Sequence, residues 1–187
     1  MAAAVIAEVV LEERSVRLRP VREEDLSDFQ RWLNDPDVYQ WLAAGVLKPP
    51  TWEDELTWWH RTVSSEHEVT WSIETLGGQL LGSVTLHWTR PAKSADFGIF
   101  IGDKAEWDKG YGGAAVGALA GYGFRVLGLN CIGLNCDATN ARALRCYENV
   151  GFRHEGVMRE HPHVEGKFRD SVVMGLLQKE WDVVRCH

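Results

Sequence analysis

Alternating apolar and polar residues mark the segments of this chain that we predict to be strands. The first alternation places Val16 and Leu18 on one face of a strand over 15–20. Gly77 and Gly78 separate the next two stretches, and a glycine pair in that position is typical of a tight hairpin turn. The other strands are expected over 69–74, 80–88, 96–101, 129–137, 152–159 and 168–177.

Apolar residues at helical spacing predict helices between these strands. Thr51 is typical of a helix N-cap, because Asp54 lies three residues further on and can complete a capping box. Gly151 follows a helix over 141–150 and suits a left-handed C-terminal cap. The remaining helices are expected over 23–34, 37–42, 52–64 and within 107–128. The apolar side of the helix over 52–64 is expected to consist of Trp52, Leu56, Trp59 and Val63.

Strands and helices are interspersed along the 187 residues, with no repeat and no linker between them. We therefore expect one mixed α/β domain over 1–187, in which 1–14 form an N-terminal extension. Hydrophobic residues make up 45% of the chain and charged residues 25%, which is the balance of an ordinary globular protein and excludes a disordered one.

Charge is spread unevenly along the chain. The formal net charge is −7, which argues against a nucleic-acid binder that works through an overall positive field. Residues 1–100 carry 9 Lys+Arg and 16 Asp+Glu, whereas 101–187 carry 11 of each. The acidity therefore belongs to the first half, which also holds seven of the nine Trp.

The sequence carries no sign of export, membrane insertion or metal binding. It has no run of about 18 apolar residues, and the apolar stretch over 1–10 contains Glu8 and lacks the basic residues of a secretory signal. We therefore expect a cytoplasmic protein. The four cysteines show no Cys-x-x-Cys spacing and are expected to be reduced structural thiols. The seven histidines show no metal-ligand spacing, so no metal is expected.

The most informative motif is the glycine-rich segment over 107–115, between a predicted strand and a predicted helix. Its sequence is Trp-Asp-Lys-Gly-Tyr-Gly-Gly-Ala-Ala. Glycines let backbone N–H groups turn toward a ligand, and a helix N-terminus behind them favours a phosphate. The segment has the form of a pyrophosphate cradle, although a tight turn for close helix packing fits it too. It matches neither the P-loop nor the GxGxxG fingerprint.

A second motif covers 140–152. Asn140 opens the predicted helix, and Tyr147 lies about two turns further along, so both side chains can project from one face. Taken singly, Asn140 also fits an ordinary N-cap, and Tyr147 also fits an amphipathic core residue.

Together the two motifs resemble the GNAT superfamily of acetyl-CoA-dependent N-acetyltransferases. The cofactor motif of that family, Gln/Arg-x-x-Gly-x-Gly/Ala, is matched by Gly110 and Gly112, with Trp107 in place of the leading Gln/Arg. The later motif of the family is matched at Asn140, Ala143, Tyr147, Gly151 and Phe152.

Within the superfamily, the span from about Arg17 to Trp181 is most similar to the branch of ribosomal-protein N-terminal and spermidine acetyltransferases. The similarity rests on the segments 18–20, 107–111, 155–159 and 166–170. It implies a mainly antiparallel central sheet flanked by helices, with acetyl-CoA as co-substrate between the strands near 96–101 and 129–137.

The resemblance also implies which residues bind the cofactor. Backbone groups of Ile99, Phe100 and Ile101 would pair with the pantetheine arm, and one of their N–H groups would polarise the thioester carbonyl. Asn140 would hydrogen-bond the cofactor. The amides of residues 108–113 would hold the pyrophosphate. The whole cofactor-binding segment would consist of Trp107, Asp108, Lys109, Gly110, Tyr111, Gly112 and Gly113.

For catalysis, the resemblance implies direct attack of an amine on the thioester. Tyr147 is the candidate general acid that protonates the departing thiolate. The attacking ammonium must first lose a proton, and Asp96 is the first candidate base because it opens the strand next to the thioester. His87 and Glu74 are its rivals.

The acceptor is expected to be a primary amine, and the acidic, Trp-rich first half favours a cationic one. Solvated carboxylates and core tryptophans would explain the same composition. A protein N-terminus ranks first among the acceptors, and a polyamine or an aminoglycoside ranks second. A non-catalytic acyl-CoA sensor is the alternative from another class, and a homodimer stays open.

Overall fold

The computed structural model describes residues 10–42, 50–89, 93–161, 163–164 and 167–185. The strands in these ranges are β1 (Leu11–Glu13), β2 (Val16–Pro20), β3 (Glu68–Thr75), β4 (Leu80–Thr89), β5 (Ser94–Ile101), β6 (Cys131–Asp137), β7 (Arg153–Met158), β8 (His163–Val164), β9 (Lys167–Phe168) and β10 (Ser171–Leu177). The α-helices are α1 (Leu26–Leu33), α2 (Pro36–Tyr39), α3 (Trp52–Val63), α4 (Tyr111–Arg125), α5 (Ala141–Val150) and α6 (Gln178–Arg185).

Eight strands form one sheet in the order β1-β2-β3-β4-β5-β6-β10-β7, while β8 and β9 pair separately. Neighbours in the large sheet run antiparallel except for β5 and β6, which run parallel. The expected mixed α/β fold with a mainly antiparallel sheet is therefore confirmed.

The helices cover both faces of the sheet. Trp71 of β3 packs edge-on against Tyr122 of α4, with 5.2 Å between the ring centres. Its neighbour Ser72 instead donates a hydrogen bond to Asp25, in the turn before α1. Successive strand residues point to opposite faces, so α4 lies on one face and α1, with α3 packed against it, lies on the other.

The sheet opens between its two parallel strands. β5 and β6 pair at three positions, the last of which joins Asp96 and Gly133. Beyond that point β5 continues to Ile101 and β6 to Asp137, and each strand stays paired with its outer neighbour. The inner edges separate, and the gap between them is a cleft.

The predicted helix ends agree with the structure. Thr51 Oγ1 accepts the Asp54 N–H at 3.2 Å, and the Asp54 carboxylate accepts the Thr51 N–H at 2.9 Å. Gly151 ends α5 with a φ of 114°, in the left-handed region that glycine adopts without steric cost.

Four expectations need correction. Residues 11–13 of the expected N-terminal extension form β1, an edge strand of the main sheet. The single strand expected over 168–177 is divided between β9, which pairs with β8, and β10 in the main sheet, and α6 was not predicted. The apolar side of α3 is wrong at both ends, because Trp52 and Val63 are 40% and 48% exposed. Glu55 and Thr62 are buried in their place, since the helix packs through that side against α1 and β3.

Several expectations concern residues 1–9, 166 and Cys186, which lie outside the described ranges. The other three cysteines, Cys131, Cys136 and Cys146, are free thiols. Among the described residues, no helix combines the length and the apolar character needed to cross a membrane.

Candidate functional site

The cleft between β5 and β6 forms a cavity of about 580 Å³, a size typical of small-molecule sites. Most of the predicted cofactor residues line it: Ile99, Phe100, Ile101, Trp107, Asp108, Gly110, Tyr111, Gly112, Gly113 and Asn140. Tyr147 lines it as well. Lys109 does not, because its Nζ turns to Glu106 at 2.9 Å.

The floor of the cavity at one end is the N-terminus of α4. Gly110, the N-cap, has a φ of 85°, and the first helical turn follows at 111–113. The N–H groups of a first turn have no partner within their helix, and they carry the positive end of the helix dipole. A Cβ at Gly112 or Gly113 would lie 3.7 or 3.6 Å from the Cys146 Sγ on α5. The segment therefore has the geometry of both earlier interpretations, an anion cradle and a close helix contact.

Trp107 joins this loop to β5 and to α5. Its Nε1 donates a hydrogen bond to the carbonyl oxygen of Ile101 at 2.8 Å, which fixes the indole at the end of the strand. The Arg142 guanidinium stacks over the ring, 3.7 Å from its centre. A cation thus stands beside the position where the family motif has Gln or Arg.

Sequence reasoning missed the arginines of this cavity. Arg142 and Arg145 on α5 line it, and so does Arg14 beside β1. The signal available for the first two was their position in the first turns of a helix that opens at Asn140. The lining also holds three carboxylates, those of Glu13, Glu106 and Asp108, so the positive charge is concentrated at Arg142 and Arg145 on α5, where it favours an anionic group.

Asn140 and Tyr147 combine structural roles with exposure to the cavity. The Asn140 Oδ1 accepts the N–H of Ala143 at 3.1 Å as a helix cap, while its Nδ2 has no partner among the described residues. The Tyr147 ring packs edge-on against Phe97 and Phe152, with ring centres 5.7 and 6.2 Å apart. Its hydroxyl group makes no hydrogen bond with the described residues, so it is available to a ligand.

Burial keeps the Tyr147 phenol and the Cys136 thiol protonated. It raises the pKa of the Tyr147 phenol, and the neighbouring cysteines raise it further. Burial, followed by the charge of Asp137, raises the pKa of the Cys136 thiol to about 12. Tyr147 is thus a hydrogen-bond donor across the physiological pH range, and Cys136 is a protonated thiol rather than a nucleophilic thiolate.

Asp96 lies at the last paired position of β5, on the sheet face opposite α4, and it is not among the residues that line the cavity. It is exposed, and no cation pairs with it among the described residues. A Cβ at Gly133 would lie 3.0 Å from the Asp96 Oδ1, and a Cβ at Gly175 would overlap the carboxylate of Glu155. The paired glycines Gly133 and Gly175 thus lie between the Asp96 and Glu155 carboxylates, at the point where the sheet opens, and this glycine floor carries no side chain that would separate them.

The two rival bases lie in different environments. Glu74 is buried and accepts hydrogen bonds from Arg19 at 2.7 Å and Arg17 at 3.2 Å, so ion pairs occupy its carboxylate. His87 is half-exposed and is the cross-strand neighbour of Asp96. The structure therefore brings His87 and Asp96 together and leaves Glu74 in a structural network.

The acidic and aromatic residues of the first half serve mainly the core and the surface. Trp32, Trp71 and Trp88 are buried among apolar side chains, while Trp41 lines the cavity. Glu55 is the exception among the carboxylates, because it is 5% exposed and no cation lies beside it in the described part of the chain, and burial raises its pKa to about 7.

Comparison with known proteins relates this site to acetyl transfer. The family model described as "Acetyltransferase (GNAT) domain" matches residues 15–153. Aminoglycoside N(6')-acetyltransferase type 1 of Klebsiella pneumoniae is 29% identical over 155 residues, which cover 77% of each chain. Spermidine N(1)-acetyltransferase of Escherichia coli K12 is 26% identical over 168 residues, covering 89% of this chain and 88% of the relative.

A solved structure shows the same architecture. The crystal structure of spermidine N-acetyltransferase from Vibrio cholerae in complex with CoA and spermine has a TM-score of 0.81 to this chain at 23% identity. The similarity covers 89% of this chain and 98% of that one.

Proposed function

Because the chain belongs to the GNAT acetyltransferase family, whose model matches most of it, we propose that it acetylates a primary amine of a small polycationic acceptor. The protein is an acetyl-CoA-dependent N-acetyltransferase. The proposal concerns the acceptor and the roles of individual residues.

The cleft beyond Asp96 is the observation that carries the proposal. Its two open strand edges offer unpaired backbone groups to an extended pantetheine arm, and the first turn of α4 offers N–H groups to a pyrophosphate. Arg142 and Arg145 add positive charge next to that turn. The residues of the cavity therefore fit acetyl-CoA, which supplies an electrophilic thioester carbonyl when it is bound.

We assign the residues around the thioester by their chemistry. The phenol of Tyr147, kept protonated by burial, donates a hydrogen bond to the sulfur atom that takes up charge. The Asn140 Nδ2 donates to the cofactor from the end of α5. Asp96 attracts the ammonium group of the acceptor and orients it where β5 and β6 separate, because no cation among the described residues pairs with this carboxylate.

The preference for a polycation rests on Asp96 and Glu155. A single ammonium needs one carboxylate, whereas two carboxylates separated by a glycine floor suit an acceptor that carries two or more positive charges. The names of the two relatives above specify spermidine and aminoglycoside acceptors, which are polycations. We therefore rank polyamines and aminoglycosides above a protein N-terminus, reversing the order expected from sequence.

Some of the segments that relate the chain to the ribosomal-protein N-terminal and spermidine acetyltransferases have structural roles in this fold. Leu18 is buried in the core, and Arg19 forms a buried ion pair with Asp25 at 2.7 Å. Arg169 bonds the Asp137 carboxylate at 3.0 Å and secures the end of β6. Since these contacts stabilise the fold, these segments carry little information about the acceptor.

The test is CoA release, read as free thiol, with a panel of amines at equal concentration. The panel contains spermidine, an aminoglycoside, a monoamine of similar length, and peptides with N-terminal Ala or Ser. We expect spermidine or the aminoglycoside to exceed the monoamine in kcat/KM by about 10-fold or more, since a second ion pair adds roughly 1–2 kcal/mol. Turnover of the peptides alone would contradict the proposed acceptor class.

Asp96 and Glu155 variants make the test specific. Asp96→Asn and Glu155→Gln should each raise KM for the polycation more than for the monoamine. Glu160→Gln is the matched control, because Glu160 is exposed just beyond the end of β7 and its contact with Asp170 is made by its backbone N–H rather than by its carboxylate. Equal effects on both amines would assign the two carboxylates to folding rather than to the acceptor.

A further inference from the structure

His87 forms part of a hydrogen-bonded chain that begins at α3 and runs along the sheet face that carries Asp96. Its Nδ1 lies 3.0 Å from the Oε2 of Glu68, its cross-strand partner on β3. The other carboxylate oxygen of Glu68 accepts a hydrogen bond from the Thr62 hydroxyl at 3.0 Å. Glu68 is 15% exposed and Thr62 is buried, so this end of the chain is protected from water.

The sheet register aligns this chain with Asp96. Glu68, His87 and Asp96 occupy directly opposed positions on β3, β4 and β5. Opposed residues project from the same face, with Cβ atoms about 4.5–5.5 Å apart. The imidazole thus stands beside the carboxylate that we assign to the acceptor ammonium.

The chain fixes the tautomer of His87. A carboxylate accepts hydrogen bonds, so Glu68 holds a proton on Nδ1 and leaves the lone pair on Nε2. The Nε2 has no partner among the described residues, and the side chain is 52% exposed. An imidazole whose Nδ1–H is held by a carboxylate has the arrangement of a general base.

We infer that His87 accepts the proton from the acceptor ammonium, with Glu68 and Thr62 as positioning residues. This inference rests on the proposed function. An ionised carboxylate next to an ammonium binds it well but is a weak base, whereas an imidazole is more basic. Asp96 therefore orients the amine, and His87 takes its proton.

The ammonium gives one proton to the His87 Nε2, and the amine nitrogen then bonds to the acetyl carbon while the bond from that carbon to sulfur breaks. The electron pair of the broken bond stays on sulfur, which takes a proton from the Tyr147 hydroxyl. The nitrogen loses a second proton as the amide forms; this proton restores the phenol through water, and His87 releases its own proton to solvent.

The experiment compares two acceptors that differ in their need for a base. One is the best amine of the CoA-release panel, and the other is its aminooxy analogue, whose nucleophilic nitrogen is uncharged at neutral pH. His87→Ala should lower kcat for the amine by about 10²-fold and for the aminooxy analogue by less than about 5-fold. Added imidazole should restore part of the rate that His87→Ala loses with the amine. Glu68→Gln should also lower kcat for the amine more than for the aminooxy analogue, but by a smaller factor than His87→Ala.

His154→Ala is the matched control. Like His87, His154 is about half-exposed and contacts a carboxylate, with 2.9 Å between its Nε2 and the Oε1 of Glu148. This pair joins β7 to α5 and does not face Asp96. The variant should keep wild-type turnover of both acceptors. Equal losses of His87→Ala with the two acceptors, or no loss, would overturn the inference while the proposed function stands. No CoA release by the wild type with any amine would overturn both.

Discussion

The Cζ of Arg142 lies over the indole of Trp107, 3.7 Å from the ring centre, where α5 meets the loop before α4. The stack holds a long, otherwise mobile side chain at the edge of the cavity. Because the indole is itself bonded to the Ile101 carbonyl, the position of the cation is set by the end of β5.

Arg142→Ala should weaken the binding of acetyl-CoA by about 10-fold, which corresponds to one charge-assisted contact of roughly 1.4 kcal/mol. The loss should shrink as salt is added, since screening weakens the same attraction in the wild type. Isothermal titration at two ionic strengths measures both effects. Arg125→Ala, at the opposite end of α4 and exposed, is the control and should bind normally.

Tyr147→Phe should lower kcat by about 10²-fold and leave the affinity for acetyl-CoA nearly unchanged. The ring contacts with Phe97 and Phe152 do not need the hydroxyl group, so the variant keeps its packing. Single-turnover CoA release and a binding titration separate the two quantities. A parallel loss of binding and turnover would assign Tyr147 to packing alone.

Glu55→Gln should stabilise the protein at pH 8 and have less effect at pH 4.5. Burial raises the pKa of Glu55 to about 7, above its ordinary value of 4.5, so the folded state holds the proton more tightly than the unfolded state. Wild-type stability is therefore lost as the pH rises from about 4.5 to 7, by about 1–3 kcal/mol. Urea unfolding of the wild type and the variant at pH 8 and pH 4.5 measures the difference in the free energy of unfolding. Glu53→Gln is the control, because Glu53 is exposed on the same helix.

Gly82→Ala should destabilise the fold by about 1–3 kcal/mol. A Cβ at Gly82 would overlap the Phe100 carbonyl oxygen on the neighbouring strand, and a backbone atom in a paired strand has little room to move. Gly156→Ala on β7 is the control, since nothing lies within 4 Å of the Cβ that it adds. Thermal unfolding of the two variants should differ by several degrees.

Local signals were sufficient for the helix ends and for the cofactor side of the site. The Thr51 and Asp54 capping box and the Gly151 cap involve residues a few positions apart, so the sequence contains the whole interaction. The glycine-rich loop is equally local, because it consists of one turn and one helix start.

Long-range contacts decided the features that sequence reasoning missed. The spacing of α3 suggested an apolar side with Trp52 and Val63, yet the contacts with α1 and β3 bury Glu55 and Thr62. The alignment of His87 with Glu68 depends on the register of β3 and β4, which an irregularity between Ile73 and Glu74 shifts by one residue, so the glycine turn alone does not specify it. The same holds for Arg142, whose role follows from the meeting of α5 and the loop at 107.

The three-position pairing of β5 with β6 divides the protein into two half-sheets, one of five strands and one of three. A ligand in the cleft touches both halves and acts as a brace between them. The free energy of binding then stabilises both half-sheets at once, so a bound ligand couples the unfolding of one half to that of the other. The supply of cofactor in the cell would thereby set how far the two halves of this protein unfold as one unit.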